Sequence, residues 1–239
     1  MTARILNDRY EILQQLGKRT GRETLLARDL SAHNLVVIKI LKFSSEFEWD
    51  DLKLFEREAQ ILQHLNHSAI PQYLDFFEFE VPQYKGFALV QTYIEAKSLE
   101  QHRQSGRTFT EDEVKQIAEQ LLEILGDLHD RHPPLIHRDL KPSNILLGDQ
   151  SAHSMGKIYL VDFGSVQNMA ATEGGTFTVV GTYGYMPPEQ FGGRAVPASD
   201  LYSLGATLMY LLTGRHPADL PQKNLQIDVA KLEFRLTTK

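Results

Sequence analysis

The sequence predicts an α+β fold in two parts: a small antiparallel β-rich first third with one helix, then a larger, mainly helical remainder. Three observations predict it. Short apolar or β-branched runs between glycine-bearing turns recur from Tyr10 to Tyr93, as strands do. One stretch of helical spacing, Trp49 to Leu65, interrupts them. Beyond Lys97 the periodicity becomes that of helices, with apolar stripes from Val114 to Leu128 and from Leu201 to Leu212.

Taken in order, Tyr10 to Leu16 and Thr24 to Arg28 read as strands flanking a turn with Gly17 and Gly21. Leu35 to Leu41 is β-branched and reads as a buried strand. In the helix from Trp49, the side chains of Leu52, Phe55, Ala59 and Leu62 share one face. Phe87 to Tyr93 returns to strand, and Ile94 to Lys97 connects to the helical remainder. Thr110-Glu111-Asp112-Glu113 is a capping-box pattern, opening a helix whose stripe is Val114, Ile117, Leu121, Leu125 and Leu128. Pro133-Pro134 ends it. Asp200 to Thr213 is a second apolar helix, closed by Gly214. A hinge near Tyr93 then divides the chain into residues 1–93 and 94–239, and a cleft between two such parts is the default place for a ligand.

Composition excludes several classes of function. Hydrophobic content of 42% and charged content of 23% in 239 residues describe a folded protein. A net charge of -6 argues against general nucleic-acid binding. Zero cysteines remove disulfides and thiolate metal sites and suit a reducing compartment. No apolar run reaches the length of a membrane span, since Tyr202, Ser203, Gly205 and Thr207 break the longest one. The first residues lack a basic start followed by an apolar run, so no signal peptide is expected and the chain reads as cytoplasmic. His64 and His67, like His129 and His132, lie three apart but have no cysteine or third ligand nearby, so they predict no metal site.

The chemistry concentrates in Ile136-His137-Arg138-Asp139-Leu140-Lys141-Pro142-Ser143-Asn144-Ile145-Leu146-Leu147. A carboxylate, an ammonium and a carboxamide stand within six residues, at Asp139, Lys141 and Asn144. That set suits transfer of a phosphoryl group from a metal-bound nucleotide to a hydroxyl. Asp139 can orient the hydroxyl and accept its proton, Asn144 can ligate Mg2+, and Lys141 can offset charge on the phosphoryl group. Asp162-Phe163-Gly164 follows the apolar run Ile158 to Val161, placing a carboxylate at a strand end where it can face Mg2+. Lys39 ends the apolar strand Val36-Val37-Ile38-Lys39, and a buried ammonium there needs an anion. Glu58 lies nineteen residues later on the helix. The plainer alternative has Lys39 snorkelling to water and Glu58 solvated.

These motifs resemble the eukaryotic-type protein kinases from about Tyr10 to about Pro217, and Lys141-Pro142-Ser143-Asn144 resembles their Ser/Thr branch. Leu160-Val161-Asp162-Phe163-Gly164-Ser165-Val166-Gln167 and Tyr183-Gly184-Tyr185-Met186-Pro187-Pro188-Glu189-Gln190-Phe191 are similar to bacterial members, cyanobacterial ones in particular. The resemblance implies a bilobal protein-kinase-like fold, ATP and Mg2+ as cofactors, and proteins bearing Ser/Thr hydroxyls as substrates. It implies that Lys39 holds the α- and β-phosphates and pairs with Glu58, and that Asn144 and Asp162 hold the metal. Thr182 would link Asp139 to Lys141, and Asp200 would hold the catalytic loop backbone, though Asp200 also reads as an ordinary N-cap. Leu16, Val37 and Leu146 would sandwich the adenine, Gln91 would stand at the gatekeeper position, and the backbone of Thr92 and Ile94 would bond the base. His137 is expected to pack beneath Phe163. Thr178, among Thr172, Thr176 and Thr178, is the expected phosphorylation site, its phosphate pairing with Arg138.

Two departures accompany the resemblance. Gly17 stands at the first glycine of the phosphate-covering loop, but Arg19 and Arg22 occupy the other two positions, and Thr24 replaces the usual valine. Side chains there obstruct close approach of backbone N–H groups to phosphate. After His216-Pro217 the likeness fades, so the expectation is a catalytic domain truncated or divergent at its C-terminal lobe, with no arginine to pair with Glu189. The leading expectation is a Ser/Thr protein kinase. The alternatives are an inactive pseudokinase acting as a scaffold and a small-molecule phosphotransferase, the latter disfavoured by Lys141, Thr182 and Pro187-Pro188-Glu189.

Overall fold

Six antiparallel strands make one sheet in the order β1-β2-β3-β4-β6-β5. They are β1 (Ile5–Leu6), β2 (Tyr10–Arg19), β3 (Arg22–Asp29), β4 (Leu35–Lys42), β5 (Tyr73–Val81) and β6 (Tyr84–Thr92). The computed structural model describes residues 5–43, 47–82, 84–149, 155–168 and 180–232. The chain divides into two compact units, Met1–Glu95 and Ala96–Lys239, and the sheet belongs to the first.

Alternation decides which side chains meet. Leu25 and Ala27 on β3, Val36, Ile38 and Ile40 on β4, and Ala88 and Val90 on β6 share one core with Tyr10 and Phe79. Their neighbours Val37, Lys39 and Leu41 therefore face the other side of the sheet, where α1 (Trp49–His64) packs. The helix buries Phe55, Ala59 and Leu62, each stabilising the unit by roughly 1.5–3 kcal/mol for the larger side chains. Leu52, expected on the same stripe, is only half-buried, because it precedes the part of α1 that reaches the core. β2 and β3 run on to a two-residue turn at Thr20-Gly21, and Gly21 supplies the left-handed φ of +69° that the turn requires.

The second unit begins with β7 (Lys97–Ser98), α2 (Leu99–Gln104) and α3 (Glu111–His129). The capping box of α3 forms as expected: the Glu113 amide donates to Thr110 Oγ1 at 3.2 Å and the Thr110 amide to Glu113 Oε2 at 2.8 Å. Val114, Ile117, Leu121, Leu125 and Leu128 are all buried, with Ile124 beside them. β8 (Leu135–Ile136) pairs with β11 (Gln167–Asn168), and β9 (Ile145–Gly148) lies between β7 and β10 (Lys157–Leu160). The four-residue α4 (Pro188–Phe191) precedes α5 (Pro197–Thr213), and β12 (Gln222–Lys223) and β13 (Gln226–Ile227) form a final hairpin.

α5 ends at Gly214, which takes a left-handed φ of +69°. Its start differs from expectation. Pro197 occupies the first turn, where its fixed φ suits a helix and its missing N–H costs nothing. Val196 is then the N-cap residue, and Asp200 stands inside the helix, fully buried. The N-cap reading of Asp200 is thereby corrected.

Candidate active site

The segment from Ile136 to Ile145 leaves a strand, turns irregularly through a 3-10 turn at Pro142–Asn144, and re-enters β9. Arg138 adopts a left-handed φ of +66°, so the backbone groups here have no ladder to join. Side chains from distant elements satisfy them instead. Asp200 accepts the His137 amide on Oδ2 and the Arg138 amide on Oδ1, both at 2.9 Å. His129, the last residue of α3, meets Asp200 Oδ2 at 2.9 Å through Nε2. Gln190 on α4 donates to the Arg138 carbonyl at 2.6 Å, and Asn144 donates to the Asp139 carbonyl at 2.8 Å. Burying a carboxylate is costly, and the two amides aimed at it are what make Asp200 tolerable there.

The polar side chains of this segment converge on Asp139. Lys141 Nζ donates to Asp139 Oδ2 and to Thr182 Oγ1, both at 2.7 Å. The Thr182 hydroxyl donates to Asp139 Oδ1 at 2.6 Å, closing a triangle across 43 residues of sequence. Asn144 Nδ2 also reaches Asp139 Oδ2 at 3.1 Å, so its Oδ1 is the acceptor end, with the Ser143 hydroxyl 3.5 Å away. Asp139 and Lys141 each keep a tenth of their side-chain surface in water. A carboxylate fixed by an ammonium and a hydroxyl can receive a proton from one incoming group of defined direction.

His137 has no exposed surface. Its ring meets the Phe163 ring edge-on at 5.1 Å. Nδ1 accepts the Asp139 amide at 3.4 Å while Nε2 lies 3.3 Å from the Val161 carbonyl, so both nitrogens serve the backbone. Next along the chain, the Val161 amide donates to the Asn144 carbonyl at 2.9 Å, and Asp162 takes a left-handed φ of +68°. Two left-handed non-glycine residues, Arg138 and Asp162, flank the site, a conformation costing about 1 kcal/mol or more each.

Mg2+ prefers oxygen ligands and commonly takes only one or two from the protein, with phosphate and water supplying the rest. Asn144 Oδ1 and the Asp162 carboxylate fit that requirement, and the double anchoring of Asn144 Nδ2 on Asp139 is what presents the oxygen. Among the described residues no group of three or more His, Cys, Asp or Glu gathers. His64 bonds the Gln60 carbonyl, His67 accepts the Ala69 amide, and His129 is occupied by Asp200.

In the first unit, Lys39 Nζ lies 2.5 Å from Glu58 Oε1, with side-chain exposures of 15% and 4%. The alternative of a snorkelling lysine and a solvated glutamate is therefore overturned. Leu16 is exposed on β2, and Val37 is buried and paired in register with Gln91, which is also buried. Thr92 donates its amide to the Gln72 carbonyl at 3.0 Å, so a bond from Thr92 to a base must come from its carbonyl. Ile94 follows β6, and Leu146 lies on β9 in the second unit. Gly17 pairs with Thr24, and a Cβ added at Gly17 would meet only Thr24, at an ordinary 3.8 Å. Arg22 turns to Asp51 on α1 at 2.8 Å.

The expected isolation of Glu189 does not occur: the buried Ser199 hydroxyl donates to its Oε1 at 2.7 Å while accepting the Val196 amide at 3.1 Å. Thr178, with Thr172 and Thr176, lies outside the described residues. The Arg138 guanidinium donates through Nε to the Ser165 carbonyl. Sequence reasoning missed Gln190, whose amide clamps both Arg138 and Val180; only its place after Pro187-Pro188-Glu189 marked it.

The pattern of the protein kinase domain matches residues 10–238, further than the motif likeness that ended near Pro217. The chain belongs to this family. It is 36% identical over 230 residues to serine/threonine-protein kinase B of Synechocystis sp., covering 90% of this chain and 38% of that protein. Serine/threonine-protein kinase D of the same organism is 37% identical over 237 residues, covering 92% and 44%. Serine/threonine-protein kinase PknA of Nostoc sp. is 35% identical over 229 residues, covering 90% and 39%. The chain spans about two fifths of the length of these relatives. Among the described residues no helix is long and apolar enough to cross a membrane.

Proposed function

We propose that this chain acts as a protein serine/threonine kinase domain, transferring the γ-phosphoryl group of ATP to Ser/Thr hydroxyls of protein substrates. The observation that carries the proposal is the Asp139–Lys141–Thr182 triangle with Asn144 fixed beside it. The two units, read as one catalytic domain, supply different parts.

Asp139 accepts the proton of the substrate hydroxyl as its oxygen bonds to the γ-phosphorus. The bond from that phosphorus to the β–γ bridging oxygen breaks, and ADP leaves with the electron pair. Lys141 Nζ, held between Asp139 and Thr182, offsets negative charge on the phosphoryl group in flight. Asn144 and Asp162 would hold Mg2+, which when bound neutralises charge on the nucleotide phosphates. Lys39, oriented by Glu58, holds the α- and β-phosphates. By the family likeness, Leu16, Thr24, Val37 and Leu146 would border the adenine, Gln91, Thr92 and Ile94 would line its polar edge, and Gly17 would stand in the loop over the phosphates. Thr178 is the proposed phosphorylation site. We place the activity in the cytoplasm, where ATP is supplied and a chain with no cysteine is at ease.

The test is transfer from labelled ATP with Mg2+ to a generic Ser/Thr protein substrate, the parent beside Asp139→Asn. The substitution keeps the shape of the side chain but removes its basicity. Transfer is expected to fall on the order of 10²- to 10⁴-fold while the melting temperature stays close to the parent's. A parent that transfers nothing yet melts higher with nucleotide would favour the scaffold reading.

A further inference from the structure

Lys39 and Glu58 join the sheet to α1 at one place, and a second ion pair joins the same two elements nearer the helix start. Arg22 Nη2 lies 2.8 Å from Asp51 Oδ1. Register puts Arg22 opposite Leu41 and Thr24 opposite Lys39, so Arg22 shares the sheet face of Lys39 and not that of Leu25 and Ala27. Asp51 precedes Glu58 by seven residues, two helical turns, so both carboxylates look toward the sheet.

The start of α1 has little else to hold it. Glu48 at the N-cap makes no side-chain cap, the buried side chains begin only at Phe55, and Trp49 is 73% exposed. Among the described residues, edge-on ring contacts of Phe47 with Phe43 and Trp49 are the other tether on this stretch. The tip of the β2–β3 hairpin borders an open cavity of about 450 Å³ rich in cations. Three of those cations have a carboxylate partner: Arg22 meets Asp51, and Glu23, on the opposite face from Arg22, takes Lys42 at 2.7 Å and Lys18 at 3.8 Å.

We infer that Arg22 is a positioning residue: its pair with Asp51 holds the first turns of α1 against the sheet and so keeps Glu58 within reach of Lys39. The inference rests on the reading of Lys39 and Glu58 as the phosphate clamp. It assigns the arginine at a glycine position of the phosphate loop to the helix, not to phosphate. Both side chains are more than a third exposed, at 38% and 39%, so the pair is screened and its effect modest.

Three variants test it: Arg22→Gln, Asp51→Asn and the double. The first readout is amide hydrogen exchange over residues 53–58 in the nucleotide-free protein, which needs no activity. Each single change is expected to speed exchange about two- to fivefold, and the double no more than either single, because the two side chains act as one unit. The acceleration should fade in 0.5 M salt. The second readout is steady-state transfer: KM for ATP rises about two- to fivefold in each variant while kcat at saturating ATP changes less. If Arg22 bound phosphate directly, Arg22→Gln alone would raise KM and Asp51→Asn would leave KM and exchange unchanged; that result overturns the inference. Unchanged exchange in both singles overturns it too, leaving the aromatic contacts as the tether. A parent without transfer defeats the functional reading but leaves the exchange result to decide the clasp.

Discussion

The six-stranded sheet and the segment from Ile136 to Ile145 solve the same problem by different means. Both must satisfy backbone groups. In the sheet the ladders do so, and side chains are left to pack or to pair at the edges. Between Ile136 and Ile145 the ladder is absent, and Asp200, Gln190 and Asn144 do the work of neighbouring strands. The difference teaches where tolerance lies. Two arginines can stand in the β2–β3 hairpin because the hairpin holds itself together through its own backbone. The catalytic segment cannot lose a side-chain partner without orphaning a buried amide or carbonyl.

The sharpest way to break that comparison is Asp200→Asn. Asparagine keeps one acceptor oxygen but loses the charge and offers an NH2 where an amide donor now points. At least one of the His137 and Arg138 amides is then buried without a partner. We expect a loss of about 3 kcal/mol in urea unfolding, and phosphoryl transfer falling with it. A loss below about 1 kcal/mol would show that the segment is held by something other than this carboxylate.

Legibility in the sequence divides along the same line. The strands β2, β3, β4 and β6, the Thr110–Glu113 cap and the α3 stripe were legible because each is a short-period or fixed-offset pattern within one element. Asp200 was half-legible: Ser199-Asp200 before an apolar run imitates an N-cap, and only Pro197 signalled the earlier start. The Ser98 and Gln101 pair that caps α2 is a fixed-offset pattern of the same kind as the α3 cap. Three contacts had little or no local signature. Arg22 and Asp51 are 29 residues apart on elements whose mutual packing no periodicity encodes. Gln190 is a single buried amide whose one cue is its place after Pro187-Pro188-Glu189. Ser199 answers Glu189 with a hydroxyl where an arginine was sought. The polar triangle at Asp139 was foreseen through family likeness, and its closure by Thr182 depends on chain geometry 43 residues away.

A middle-sized effect is expected at Gly181, which precedes Thr182. Its φ of +138° is one that L side chains rarely adopt, and an added Cβ would lie 2.5 Å from Gln190 Nε2 and 2.8 Å from Met186 Sδ. Gly181→Ala must therefore push away the amide that bonds Arg138 and Val180. We expect about 2 kcal/mol of lost stability in urea unfolding. The drop in transfer should exceed what the unfolded fraction explains, since Thr182 moves with its neighbour. Transfer unchanged in the folded fraction would mean that the triangle is set by Lys141 alone.

The smallest effect belongs to the sheet, at the pair of Arg9 with Asp29. Arg9 donates to both carboxylate oxygens, Nε to Oδ1 at 2.9 Å and Nη2 to Oδ2 at 2.7 Å. These bonds hold the Asp29 carboxyl at about 2, below its ordinary 3.8, against the opposing pull of burial and with help from the Ser31 and Ala32 amides. The folded form thus prefers the ionised carboxylate more than the unfolded chain does. Its contribution to stability is complete above about pH 4 and is lost as pH falls toward 2. Arg9→Leu removes the main cause and should cost about 1 kcal/mol at pH 7, little for a two-bond contact because the arginine side chain is 41% exposed and the pair is screened. Urea midpoints of parent and variant should converge between pH 4 and pH 2. A gap that stays constant over that range would assign the loss to the packing of Arg9 over the Tyr10 ring, 5.1 Å away, rather than to the carboxylate. Either way the sheet should survive the change, because none of its ladder bonds passes through Arg9's side chain.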